Sequence, residues 1–151
     1  RSGKSEFAER LALATEGRKA YVATGQAFDD EMVDRIKKHQ ERRGNIWTNF
    51  EIPLYLAEEW QHISSVADVI LIDCLTMFTT NHMMAHGSIQ GQQDANRLED
   101  TVLSELEALL NLIKVSDDKI VIFVTNEIGL GIVPDNKLAR YFRPRQSNSS
   151  N

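Results

Sequence analysis

Two apolar runs, residues 67–74 (ADVILIDC) and 119–125 (KIVIFVT), constrain this chain more than any other feature. Neither alternates polar with apolar residues: the second reads as a further apolar strand, and the first suits a strand buried on both faces. That environment is the interior of a parallel sheet covered by helices. Two shorter stretches of strand formers, residues 19–24 (KAYVAT) and 47–53 (WTNFEIP), supply neighbours. Helical patterns fill the gaps. Phe7, Leu11 and Ala14 recur at helical spacing after Ser5, and Gly17 stands where a helix would stop. Residues 28–44 (FDDEMVDRIKKHQERRG) begin at a capping Asp29 or Asp30 and place Met32, Ile36 and His39 on one face. They end in Lys37, Lys38, Arg42 and Arg43 before Gly44, which suits a helix carboxyl end.

Residues 54–63 form a further helical pattern with Leu56, Trp60 and Ile63 inward, and residues 75–85 another. Residues 86–94 are expected to be loop. An amphipathic helix is predicted over 95–113, with Leu98, Val102, Leu106, Leu109 and Ile113 on one side. Residues 126–136 are expected to be irregular, with a short helix following them. Strands that alternate with helices define the α/β class, with a mostly parallel sheet flanked by helices.

In that architecture ligands gather beyond the carboxyl ends of the strands. Thr24, Gly25, Asp73, Asn126 and Glu127 all fall at such ends. The first five residues, Arg1-Ser2-Gly3-Lys4-Ser5, form the second half of the phosphate-loop signature G-x-x-x-x-G-K-[ST]. In such a loop the lysine reaches the outer phosphates, the hydroxyl ligates Mg²⁺, and the helix that follows turns its positive end to the anion. Five residues alone read equally as an ordinary helix start. The convergence of polar residues on one sheet edge favours the phosphate reading. Asp73 can hold Mg²⁺ or its water there, or cap the next turn.

His39 has two readings as well. Beside Lys38, Arg42 and Arg43, an imidazole is disfavoured from protonating and stays nucleophilic, while the same cations offset the charge of a triphosphate. Alternatively the helix end is a solvated basic one that answers the macrodipole. His82 and His86, four residues apart, could share a metal, but no third ligand is evident.

A length of 151 residues suits one domain, and the composition, 42% hydrophobic and 26% charged, is that of a globular chain. A net charge of −5 without a long basic block argues against a general nucleic-acid binder. No apolar run reaches membrane length. Cys74 is the single cysteine, so no disulfide forms within the chain, and a cytoplasmic location is expected. Residues 144–151 (PRQSNSSN) read as a disordered tail.

Five segments occur in order: RSGKS (1–5), YVATGQAFDDEMVDRIKKHQERRG (21–44), WTNFEIP (47–53), LIDCLT (71–76) and VTNEIGLGIVPDN (124–136). Together they make the chain similar to the bifunctional adenosylcobinamide kinase / adenosylcobinamide-phosphate guanylyltransferase family of cobalamin biosynthesis. The likeness covers roughly residues 1–143. It implies one RecA-like P-loop nucleotide-binding domain over 1–143, here lacking its first strand. It also implies two reactions: phosphorylation of adenosylcobinamide by GTP or ATP with Mg²⁺, then transfer of GMP from GTP through a guanylyl-histidine at His39.

By the same resemblance, nucleotide contacts are expected at Arg1 to Ser5, Ala23, Thr24, Gly25, Arg42, Arg43, Glu51 and Asp73. Asp73 is thus a candidate for guanine contact as well as for metal. A homotrimer is expected, with adenosylcobinamide and GTP as partners. Two alternatives stay open: a simple P-loop small-molecule kinase without the covalent step, and a remnant, cut short at both ends, that no longer catalyses.

Overall fold

The computed structural model describes residues 3–25 and 30–125. In chain order the elements are α1 (Lys4–Leu13), β1 (Lys19–Ala23), α2 (Asp30–Arg43), β2 (Trp47–Glu51), α3 (Leu56–Val66), β3 (Val69–Asp73), α4 (Leu75–His86), α5 (Gly91–Lys114) and β4 (Ile120–Val124). A single 3₁₀ turn at Gly44–Ile46 joins α2 to β2. The strands form one parallel sheet in the order β2-β1-β3-β4. The expected α/β class is therefore what the chain adopts.

Alternate residues of the central strands serve two separate cores. Ala20, Val22, Ile70 and Ile72 face α3, α4 and α5, where they pack with Leu56, Trp60, Ile63, Phe78, Leu98, Val102, Leu106 and Leu109. Tyr21, Val69, Leu71 and Val124 face the other way and meet Ala8 and Ala12 of α1, with Trp47 beside them. Both faces of β3 are thus dry, as its unbroken apolar run requires.

Three expectations are corrected. On α1 the buried positions are Ala8 and Ala12, while Phe7 and Leu11 are exposed, so the inward stripe is the small one. Small residues let the helix lie close on β3 and β4. Second, α5 begins at Gly91 rather than at Ala95. The Asp94 carboxylate accepts a bond of 2.8 Å from the Gln90 N–H, which ties down an end that the glycine and glutamines left unmarked. Third, the half-buried stripe of α2 is Met32, Ile36, Gln40 and Arg43, and His39 lies beside it, exposed. No residue of α2 is buried. The expected helix, irregular stretch and tail beyond residue 125 lie outside the described residues, as do Asn126 and Glu127.

Candidate functional site

The sheet register sets the site. Glu51, Ala23, Asp73 and Val124 pair side by side and end their four strands in one row. Residues paired in this way point to the same face, which here is the face that carries α1. The first turn of α1 begins over that row. The Nζ of Lys4 donates to the carbonyl of Thr125 at 3.4 Å, and the Oγ of Ser5 donates to Oδ2 of Asp73 at 3.0 Å. The lysine and hydroxyl of the half-signature therefore stand over the ends of β4 and β3, where the sequence reading expected them. Arg1 and Ser2 lie outside the described residues.

Tyr21 lies one step back on the same face, and its hydroxyl also donates to Oδ2 of Asp73. Burial, and then the nearby carboxylate, raise the pKa of this phenol above its ordinary value, so it remains a donor. Its ring carries the Arg43 guanidinium 3.6 Å from its centre. Arg43 also donates to Oδ1 of Asn49, at 2.8 Å and 3.2 Å. Burial lowers the pKa of the guanidinium from its usual value. Arg43, expected to contact the nucleotide, is engaged by Tyr21 and Asn49.

Arg42 reaches from α2 to α1, where it pairs with Glu9 at 3.4 Å and Glu6 at 4.0 Å. A hollow of about 490 Å³ between these helices is lined by Glu6, Glu9, Arg42, Arg43 and Trp47, among others. His39, three residues before Arg42, borders a second hollow of about 470 Å³ together with Glu31, Asp34, Arg35, Lys38 and Arg42. Its surroundings are mixed in charge rather than purely cationic. Lys38 pairs with Asp34 at 3.0 Å and Arg35 with Glu31 at 3.6 Å, as residues four apart on a helix do.

Beyond the sheet edge the two strand ends are pinned together. Thr24 is fully buried. Its hydroxyl donates to the Cys74 carbonyl at 2.6 Å and accepts from the Cys74 N–H at 2.9 Å. Asn81 of α4 donates from Nδ2 to the carbonyls of Thr24, at 2.6 Å, and Pro53, at 3.1 Å. Gly25 follows Thr24 in open space, since a Cβ built there would meet nothing within 4 Å. Glu51 ends β2 exposed.

Tyr21 and Asn81 escaped the sequence reading. An asparagine inside a helix beside Phe78 and Thr79 is a signal of a buried polar task, because its amide hydrogens must find acceptors where water cannot reach, as they do at Thr24 and Pro53. Tyr21 gave no comparable sign, because only the register puts it beside Asp73.

Among the described residues no three His, Cys, Asp or Glu side chains gather as a metal site. His82 and His86 do not converge. His82 packs edge-on against Phe78 with 4.6 Å between ring centres, while His86 bonds Asp94 at 2.7 Å. The hard oxygens of Ser5 and Asp73, already in contact, do fit Mg²⁺, which prefers one or two protein ligands alongside phosphate and water.

A parallel α/β sheet, with a Gly-Lys-Ser helix start set against a strand-end aspartate, defines a protein of the P-loop type. The chain belongs to the cobinamide kinase / cobinamide phosphate guanyltransferase family, whose model matches residues 1–151. It is 34% identical over 152 residues to the bifunctional adenosylcobalamin biosynthesis protein CobU of Escherichia coli K12, covering 95% of this chain and 79% of that protein. The CobU of Salmonella typhimurium LT2 is 37% identical over the same shares. Its counterpart CobP of Pseudomonas aeruginosa PAO1 is 39% identical over 142 residues, covering 94% of this chain and 75% of that protein.

Proposed function

We propose that this chain phosphorylates adenosylcobinamide, with GTP or ATP as donor, and then transfers GMP from GTP to adenosylcobinamide phosphate. The product is adenosyl-GDP-cobinamide. Family membership supports the pair of reactions. The observation that carries the reading is the Ser5–Asp73 bond beneath Lys4, which gathers the parts of a phosphate cradle at the carboxyl edge of the sheet.

In this reading Lys4 neutralises the outer phosphates, and Ser5 with Asp73 would hold Mg²⁺. The ion, when bound, offsets negative charge on the phosphate oxygens. Guanylylation begins with a ring nitrogen of His39 attacking the α-phosphorus of GTP. A nitrogen–phosphorus bond forms, the oxygen bridging to the β-phosphorus departs, and pyrophosphate leaves. A phosphate oxygen of the cobinamide substrate then attacks the same phosphorus, and the imidazole is released unchanged. The exposure of His39 on α2 suits a nucleophile that two successive substrates must reach. In this reading Gly25 and Glu51 would contact the nucleotide at the same edge, while the fully buried Thr24 would hold the strand ends in place beneath them. We take the working enzyme to be a cytoplasmic homotrimer, which light scattering tests directly.

Incubation with GTP labelled at the α-phosphorus should leave acid-labile, base-stable label on the wild type and none on His39→Ala. Transfer of the γ-phosphoryl group should fall in Lys4→Ala. Label that persists on His39→Ala refutes the nucleophile. Phosphoryl transfer without any label would leave a simple kinase.

A further inference from the structure

Two hydroxyls meet on one oxygen of Asp73. Ser5 arrives from the helix that follows the glycine and lysine, and Tyr21 from the neighbouring strand. Among the described residues no hydrogen bond reaches Oδ1. A carboxylate held by two donors on one oxygen cannot rotate freely, so its other oxygen keeps a fixed direction above the strand ends. Tyr21 is 8% exposed, so its hydroxyl has few partners to choose among. The ring of the same residue bears Arg43, the last residue of α2 and four positions beyond His39. One side chain thus ties the strand-end carboxylate to the helix that bears the imidazole.

We propose that Tyr21 is a positioning residue: its hydroxyl aims Oδ1 of Asp73 at the metal–phosphate site, and its ring anchors the carboxyl end of α2 through Arg43. The proposal rests on the nucleotide-binding reading above. Its two halves separate by substitution. Tyr21→Phe removes the hydroxyl and keeps the ring, whereas Tyr21→Leu removes both.

The test measures binding of GTP to the full chain by calorimetry, across a range of Mg²⁺ concentrations and in EDTA. In Tyr21→Phe the Mg²⁺ concentration for half-maximal tightening should rise about tenfold, as loss of a charge-assisted hydrogen bond implies. Affinity in EDTA should stay within about twofold, because the metal-independent contacts remain. A structural defect would weaken both conditions alike. In an Asp73→Asn background Tyr21→Phe should add nothing further, since both act through one carboxylate. Hydrogen exchange of α2 should match the wild type in Tyr21→Phe and quicken in Tyr21→Leu.

A Tyr21→Phe protein with wild-type Mg²⁺ dependence overturns the aiming role, and unchanged exchange of α2 in Tyr21→Leu overturns the anchoring role. In both cases tight wild-type binding leaves the functional reading standing. If the wild type binds no GTP with Mg²⁺, the functional reading itself falls and this assignment falls with it.

Discussion

Asn81→Asp replaces one amide nitrogen by oxygen and alters the shape of the side chain little. In the native protein Nδ2 donates to the carbonyls of Thr24 and Pro53, at a site where Asn81 is 1% exposed. An aspartate there would set a carboxylate oxygen against two carbonyl oxygens. Two hydrogen bonds vanish, and two acceptors, the buried Thr24 carbonyl and the partly buried Pro53 carbonyl, lose a partner at about 1–3 kcal/mol each. The expected loss at neutral pH is therefore about 4 kcal/mol. That is a large part of the roughly 5–15 kcal/mol that holds a domain together. For a chain of this size it corresponds to a fall in melting temperature of roughly 12 °C.

The pH dependence supplies an independent check. A carboxyl facing carbonyls in a dry site has its folded pKa raised above the unfolded value of about 3.9. Its stabilising contribution is then fully present below the unfolded value, where the protonated group can donate one bond. That contribution is lost as pH rises through the folded value. The gap between Asn81→Asp and wild type should consequently narrow as pH falls from 8 to 5. Urea denaturation at each pH measures it. A cost below about 1 kcal/mol at neutral pH, or a gap indifferent to pH, would refute the view that Asn81 clamps the ends of β1 and β2.

Other substitutions probe other parts of the argument. Phe78→Ala empties a fully buried position in the larger core and should cost about 3–5 kcal/mol by denaturation. Gly17 has φ of 126°, and a Cβ there would stand 2.9 Å from Cβ of Asp68. Gly17→Ala should therefore destabilise by about 1–3 kcal/mol, with the Tm as readout. The side chain of Arg18 and then its backbone N–H hold the Asp68 carboxyl below the usual carboxylate range. A depressed pKa contributes stability above the unfolded value of about 3.9 and loses it as pH falls below that. Acid unfolding of Asp68→Asn should accordingly be shallower than that of wild type.

Residue type and spacing made the fold class legible because burial dictates both. The run around residue 70 is apolar on consecutive positions and β3 is covered on both sides, whereas the equally apolar β4 ends the described sheet with Ile120 exposed and Val121, Ile122 and Phe123 half-buried. Leu56, Trp60 and Ile63 were recognisable as inward for the same reason and are buried. Small residues gave a weaker sign. Ala8 and Ala12 form the inward stripe of α1, yet Phe7 and Leu11 carry the stronger hydrophobic signal and stay exposed. The parts of the proposed phosphate cradle were legible from chemistry, Lys4 and Ser5 from their order and Asp73 from its place at a strand end. Tyr21 was not, because its partner is 52 residues away and only the pairing of β1 with β3 brings them together.

That pairing has to be fixed by something other than the apolar residues of β3. A slip of one residue normally sends a strand's apolar set into water, but β3 is dry on both faces and would lose little by slipping. Polar clamps at its two ends supply the missing specification. At the amino end, the N–H groups of Asp68 and Val69 both donate to the Arg18 carbonyl, and the Asp68 side chain grips the Arg18 guanidinium at 3.0 Å. At the carboxyl end, the Thr24 N–H donates to the Asp73 carbonyl while the Thr24 hydroxyl holds the Cys74 backbone at two points. A slip by one position would break both sets together and would turn Asp73 to the face of α3 and α5, away from Ser5 and Tyr21. The placement of the site's carboxylate is thus decided by Arg18, Thr24 and Asp68, of which Arg18 and Asp68 stand at the far end of the strand.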